Sequence, residues 1–208
     1  MSTERSDAAL IHRWLIAHDA CPQGVAWARG HASFDSLWRQ CRTIEWMIWA
    51  LGRAEYRAEK PLRRFAVSCV RRHQALWSGT PIDQIVAIAE AAAAGNAGPT
   101  DLLAAWRGGR QALEARARSS EWSAARAAAG NAAVGCARPD PLDAAHTAAL
   151  ECLKALEWQS PAPEAGVAEQ VWQTDELRRH IGDEVDEIVR MVRARDATRG
   201  PSGAKGAT

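Results

Sequence analysis

Phenylalanine and tyrosine are nearly missing: this chain of 208 residues contains 2 Phe and 1 Tyr. The β-branched and aromatic runs that build strands are scarce as well, which argues against a sheet. Lysine occurs only at Lys60, Lys154 and Lys205, so almost all positive charge is arginine, a planar and bidentate donor. No uncharged apolar run approaches the roughly 18 residues of a membrane-spanning helix. The five cysteines, Cys21, Cys41, Cys69, Cys136 and Cys152, are odd in number, widely spaced and form no CxxC. That pattern points to free thiols in a reducing cytoplasm. The opening MSTERSDAALIHRW has no long apolar stretch and no small-residue cleavage site, so no secretory leader is expected. Phosphate-binding GxxxxGK[ST], GxGxxG, zinc-binding HExxH and the GxSxG nucleophile elbow are all missing, which weakens an enzymatic reading.

Alanine and tryptophan are abundant. About a fifth of the residues are Ala, and there are 10 Trp. Alanine is the best helix former and the poorest filler, while Trp is the largest filler available. Together they predict an all-α protein of closely approaching helices with a core plugged by indole rings. Hydrophobic residues make up 47% and charged residues 25%, as in an ordinary globular chain. The length suits one helical domain over 1–197, with a Trp- and Arg-rich half at 7–79, an Ala-rich and acidic half at 81–197, and a flexible tail at 198–208.

Periodicity and caps predict eight or nine helices. The first covers 7–19 and the second 22–31, led by Pro22. Ser33 caps a third, and Thr43 caps TIEWMIWALGR, which is apolar almost all round and reads as a central helix. Pro61 opens a fifth helix, whose stripe of Leu62, Phe65, Ala66, Cys69 and Val70 is flanked by arginines. The sixth stops at Gly95. A long Ala-rich helix is expected from Asp101 to about Ala129, unbroken by Gly108 and Gly109, followed by a loop over 130–141. Asp140 and Pro141 start the next helix, and the last is expected from about Val167 to Ala197.

Four constellations could carry chemistry. His18 and Cys21, with Cys69 and His73 one turn apart on a helix, have zinc-ligand character, although a buried Cys is commonly a small hydrophobe. Trp27, Trp38, Trp46 and Trp49 could form an aromatic cage for a cation, or simply be core. Asp183, Glu184, Asp186 and Glu187 could bind a divalent cation, or be a solvated face. Glu45 sits among apolar neighbours, and a buried carboxylate needs a partner. Arg42, Arg63, Arg64, Arg71 and Arg72 are available to pair with it, with Arg42, Arg64 and Arg71 expected in an internal lock, the alternative being a catalytic or ligand-binding carboxylate. Segment 140–192 carries 12 acidic against 4 basic side chains, so Asp175, Glu176, Asp183, Glu184 and Glu187 are expected on one acidic face. A pI of about 7.7 falls short of a nucleic-acid-binding footprint.

ACPQGVAW at 20–27, IEWMIWAL at 44–51 after SLWRQC and PLRRFAVSCVRR at 61–72 together resemble the all-α immunity proteins of bacterial polymorphic toxin systems, and the later DELRRHIG resembles a terminal stretch of related helical domains. Similar helical domains occur in uncharacterised bacterial and phage proteins. The resemblance implies a cytoplasmic inhibitor, without catalysis or cofactor, that neutralises a cognate protein toxin by direct binding. A basic nuclease would suit the acidic face, since opposite charge steers association. The alternatives are a helical enzyme dependent on a metal or small ligand, and a phage or mobile-element protein acting on host defence.

Overall fold

The computed structural model describes residues 2–117, 122–160 and 162–199. Every element among them is helical. α1 (Ser2–Ala17), α2 (Pro22–Ala28), α3 (Phe34–Gln40) and α4 (Ile44–Arg53) are followed by α5 (Glu59–Arg72) and a 3-10 turn at Gln74–Leu76. Then come α6 (Ile82–Ala94), α7 (Pro99–Arg116), α8 (Ala124–Gly135), α9 (Pro141–Gln159), α10 (Pro163–Ile181), a 3-10 turn at Gly182–Glu184 and α11 (Val185–Arg199). The all-α expectation holds, but the described residues form eleven α-helices and not eight or nine.

The starts follow local chemistry. Cys21 Sγ accepts from Gly24 N, Ser33 Oγ from Ser36 N, and Asp140 Oδ1 from both Leu142 N and Asp143 N. Each satisfies N–H groups that a helix start leaves open. α7 begins at Pro99 and not at Asp101, with the Asp101 carboxylate accepting from Gly98 N at 2.9 Å. Gly108 and Gly109 do lie within an unbroken helix.

Two splits depart from expectation. The Ala-rich stretch divides into α7 and α8, with Ser123 Oγ capping the new helix through Arg126 N. Gly130 and Gly135 then lie inside α8, where a loop is expected. The terminal helix breaks at Gly182, whose φ of +49° belongs to the region that glycine enters at little cost. The expected tail lies outside the described residues from 200 onward.

α5 is the hub of the fold, packing on α9, α6 and α10, while α8 lies along α9. Leu62, Phe65, Ala66, Cys69 and Val70 of α5 are all fully buried. They meet Ala144, Ala145, Ala148, Ala149, Cys152 and Ala155 of α9, whose spacing of three and four residues forms one face. Because these side chains are small, the α8 and α9 axes come close. A Cβ at Gly135 would overlap the Thr147 methyl, so only glycine fits there.

Close approach, and not indole plugging, fills this core. Trp77 is fully buried and Trp14 nearly so, but Trp27, Trp38, Trp46, Trp49, Trp106, Trp122 and Trp172 are half-buried and Trp158 is 68% exposed. Along α4, Ile48 is buried in one core with Phe65 and half-buried Trp46 packs against that core, whereas Trp49 packs elsewhere. Trp14, Ala54 and Val192 make a separate small cluster, with Trp49, Phe34 and Ile188 packed against it. It joins α1, α4 and α11 into a second layer.

Candidate functional site

Five tryptophans converge on one cavity of about 500 Å³ in that second layer. α1 supplies Trp14, α2 supplies Trp27, α3 supplies Trp38, and α4 supplies Trp46 and Trp49, while Val185, Ile188, Val189 and Val192 of α11 close a side. The volume lies within the range of about 300–1,000 Å³ usual for small-molecule sites. The rings brace one another: Trp27 and Trp46 centroids are 5.7 Å apart, and Trp14 and Trp49 meet edge-on at 5.6 Å. Such pairs hold aromatic rings in place beyond what simple burial gives.

All four members of the expected tryptophan cluster thus line one space, joined by Trp14, which the sequence reading passes over. Its position one turn before His18 on an ordinary amphipathic helix gave it no distinction. The lining is largely apolar, and Asp19, Cys21, Glu45 and His146 are its titratable side chains apart from the buried Cys41.

Glu45 corrects the sequence reading. It is exposed, it lines this cavity, and it has no hydrogen bond or ion pair among the described residues. The almost wholly apolar helix around it suggests burial on every side, but the face carrying Glu45 opens onto the cavity and solvent. The expected partners are engaged elsewhere or exposed: Arg42 pairs with Asp175 at 3.0 Å, Arg71 with Glu90 at 2.6 Å, and Arg64 is exposed. Among the available arginines the buried lock is Arg63, and its partners do not include Glu45. Its Nε donates to Glu59 at 2.7 Å, and Nη1 donates to the carbonyls of Cys136 and Arg138 at 2.7 and 2.6 Å.

The four proposed metal ligands do not form a metal site. Cys21 is at the cavity, whereas Cys69 is in the α5–α9 core and His73 meets Glu169 at 3.4 Å. No group of three or more His, Cys, Asp or Glu among the described residues could hold a metal ion, which also covers Glu184, Asp186 and Glu187. The Asp183 side chain lies outside the described residues.

The acidic face is largely neutralised. Asp175 pairs with Arg42 and Arg178, Glu187 pairs with Arg190, and Glu184 accepts from the Tyr56 hydroxyl. Glu176 is buried at 4% exposure between Arg179 and His180, so it belongs to no partner surface. The short separations within DELRRHIG place each carboxylate three or four residues from a basic side chain, and helical geometry closes those pairs.

A second polar cluster lies between α5 and α10. Glu169 accepts from Arg72 at 2.8 Å and faces His73, while Gln173 Nε2 donates to Ala149 O at 3.1 Å. Burial pushes the Glu169 carboxyl up, but hydrogen bonds and charges from His73 and Arg72 outweigh it, and the group titrates below its ordinary range. Ser68, His180 and Glu176 also meet here, but Ser68 Oγ and the Glu176 carboxylate both contact the same ring nitrogen, Nε2. A nucleophilic triad requires the two ring nitrogens to serve different partners, so this trio ties helices together.

No helix among the described residues is long and apolar enough to cross a membrane. Comparison with protein-family models, with curated proteins and with solved structures finds no match to this chain.

Proposed function

We propose that this protein binds a small, largely apolar molecule in the tryptophan-lined cavity. The observation that carries the reading is the convergence of five indoles from four helices on one open space. Trp77, which is not part of the lining, is fully buried. Trp27, Trp38, Trp46 and Trp49 instead keep part of their surface open around the cavity. Apolar walls with a few polar groups at fixed positions are the usual composition of a ligand site.

Titration with the neutral apolar fluorophore Nile red tests this. Saturable one-to-one binding is expected in the parent protein and in Trp158→Ala, whose ring lies outside the lining. Ala50→Trp fills the space from α4 and should abolish it. Binding that persists unchanged in a folded Ala50→Trp protein would refute the reading.

A second reading is an immunity-type inhibitor of a cognate toxin. It rests on the sequence resemblance and is supported by the exposure of Asp175, Glu184 and Glu187. The expected partner is a basic protein surface. Reversing Glu184 and Glu187 to Lys should slow association with such a toxin at low salt, and an unchanged rate would remove this surface from consideration.

A further inference from the structure

We propose that the occupant of the cavity is a lipophilic organic cation, an inference that rests on the cavity being a binding site. Three observations converge on it. The first is the wall itself: indole faces are the best π-partners for a cation, and the attraction grows when water is excluded. Arg53 is placed over Trp49 at 5.8 Å, so that ring already partners a cation in this fold. Among the described residues no guanidinium is placed over Trp27, Trp38 or Trp46.

The second is the sign of the fixed charge. The lining contains two carboxylates, Asp19 and Glu45, and no Lys or Arg. In a chain whose basic and acidic side chains nearly balance, at 26 and 25, this exclusion of one sign is local. Arg178 stands behind the wall, donating to the carbonyls of Trp38 and Cys41, but its charge is met by Asp175 at 2.7 Å. An anionic ligand would face the two carboxylates with no Lys or Arg in the lining to meet it.

The third is that both carboxylates are unpaired. Neither the Asp19 nor the Glu45 side chain has a hydrogen bond or ion pair among the described residues. By contrast, Asp35, Glu59, Glu90, Glu169, Asp175 and Glu176 are each held by a basic side chain. Glu157, Glu164 and Asp186 are also open, but they lie outside the lining; Asp19 and Glu45 are the open pair beside the aromatic wall, one on the turn after α1 and one on the first turn of α4. A quaternary or aromatic ammonium bound between them would gain ring contacts and charge neutralisation together.

The test compares two probes of matched shape against the full chain: benzyltrimethylammonium, and its neutral isostere neopentylbenzene. Binding is read by quenching of tryptophan fluorescence and by calorimetry. The cation should bind more tightly by about tenfold, between the scales of an exposed and a desolvated cation–π contact, and added salt should weaken the cation alone. Glu45→Gln and Asp19→Asn, both at exposed positions, should each narrow the difference while leaving neopentylbenzene unchanged. Asparagine is tolerated at the left-handed φ of +56° that Asp19 adopts. Equal or tighter binding of the neutral probe would overturn the cation assignment and leave the cavity reading intact. Binding of neither probe would overturn both.

Discussion

Arg63 and Cys136 are 73 positions apart in the chain, and the guanidinium of one donates to the carbonyl oxygen of the other at 2.7 Å with no access to solvent. The same guanidinium reaches the carbonyls of Arg138 and Pro139. It thereby satisfies the backbone acceptors at the end of α8, where helix termini leave carbonyls open. Arg63→Met should cost about 3–5 kcal/mol, because it strands those acceptors at about 1–3 kcal/mol each, while the part-exposed Glu59 carboxylate returns to water. Arg63→Lys should recover little, since an ammonium lacks the planar fork that serves several acceptors at once. Urea denaturation of the three proteins measures both effects.

The close approach of α8 and α9 makes a second prediction. Gly135→Ala should destabilise the fold by about 1–3 kcal/mol, the usual cost of overpacking. The obstacle is the Thr147 methyl. Thr147→Ala in the same chain should return part of the loss, and a thermal melt of the double variant reads the coupling.

Acid should unfold the protein in two stages. Burial holds His180 below its ordinary 6.5, more strongly than the Glu176 carboxylate raises it. The folded state then binds fewer protons than the unfolded one, so stability rises with pH and is lost as pH falls below about 6.5. Glu169 and Glu176 are held below their ordinary 4.5, since their basic partners outweigh burial. Their contribution is present above that value and is lost as pH falls through the lower folded values. His180→Gln should remove the upper stage and Glu169→Gln should shrink the lower one. A urea midpoint that stays level from pH 8 to 5 in the parent protein would contradict the first assignment.

Thiol reactivity should separate Cys21 from the other four. Cys21 is exposed at the cavity, whereas Cys41, Cys69, Cys136 and Cys152 are buried. Burial pushes the thiols of Cys69 and Cys152 well above their ordinary value, and that of Cys136 up to about 12. The thiolate is the reactive form. One equivalent of Ellman's reagent should react quickly and four only on unfolding. A saturating cavity ligand should slow the first.

The helices were legible wherever a cap and a periodic stripe coincide. Asp140 with Pro141, Ser33 and Gly95 all act as their residue types predict. Glycine misled where its role is spacing. Gly130 and Gly135 read as a loop because turns and close helix contacts select the same residue. The tryptophan cluster was visible as a group, since Trp27, Trp38, Trp46 and Trp49 lie close in sequence. That they surround a space could not be read from spacing, because burial and cavity lining demand the same apolar surface. Glu45 failed for a related reason: periodicity tells which neighbours are apolar, but not whether another helix covers them. Arg63 was hidden among four arginines of one helix, and only the fold singles out the one that meets α8.

The glycine at 182 has a consequence for motion. It ends α10 and starts a turn into α11, whose valines and Ile188 form one side of the cavity. α10 is fixed to α5 by the Glu169 and Glu176 contacts, but α11 meets the rest of the protein mainly through α1. Backbone amides in α1 and α11 should therefore exchange with solvent deuterium through local opening, while those of α5, α8 and α9 wait for global unfolding. The alanine seam stays closed while the tryptophan layer breathes, which gives an occupant a way in that does not require the fold to be risked.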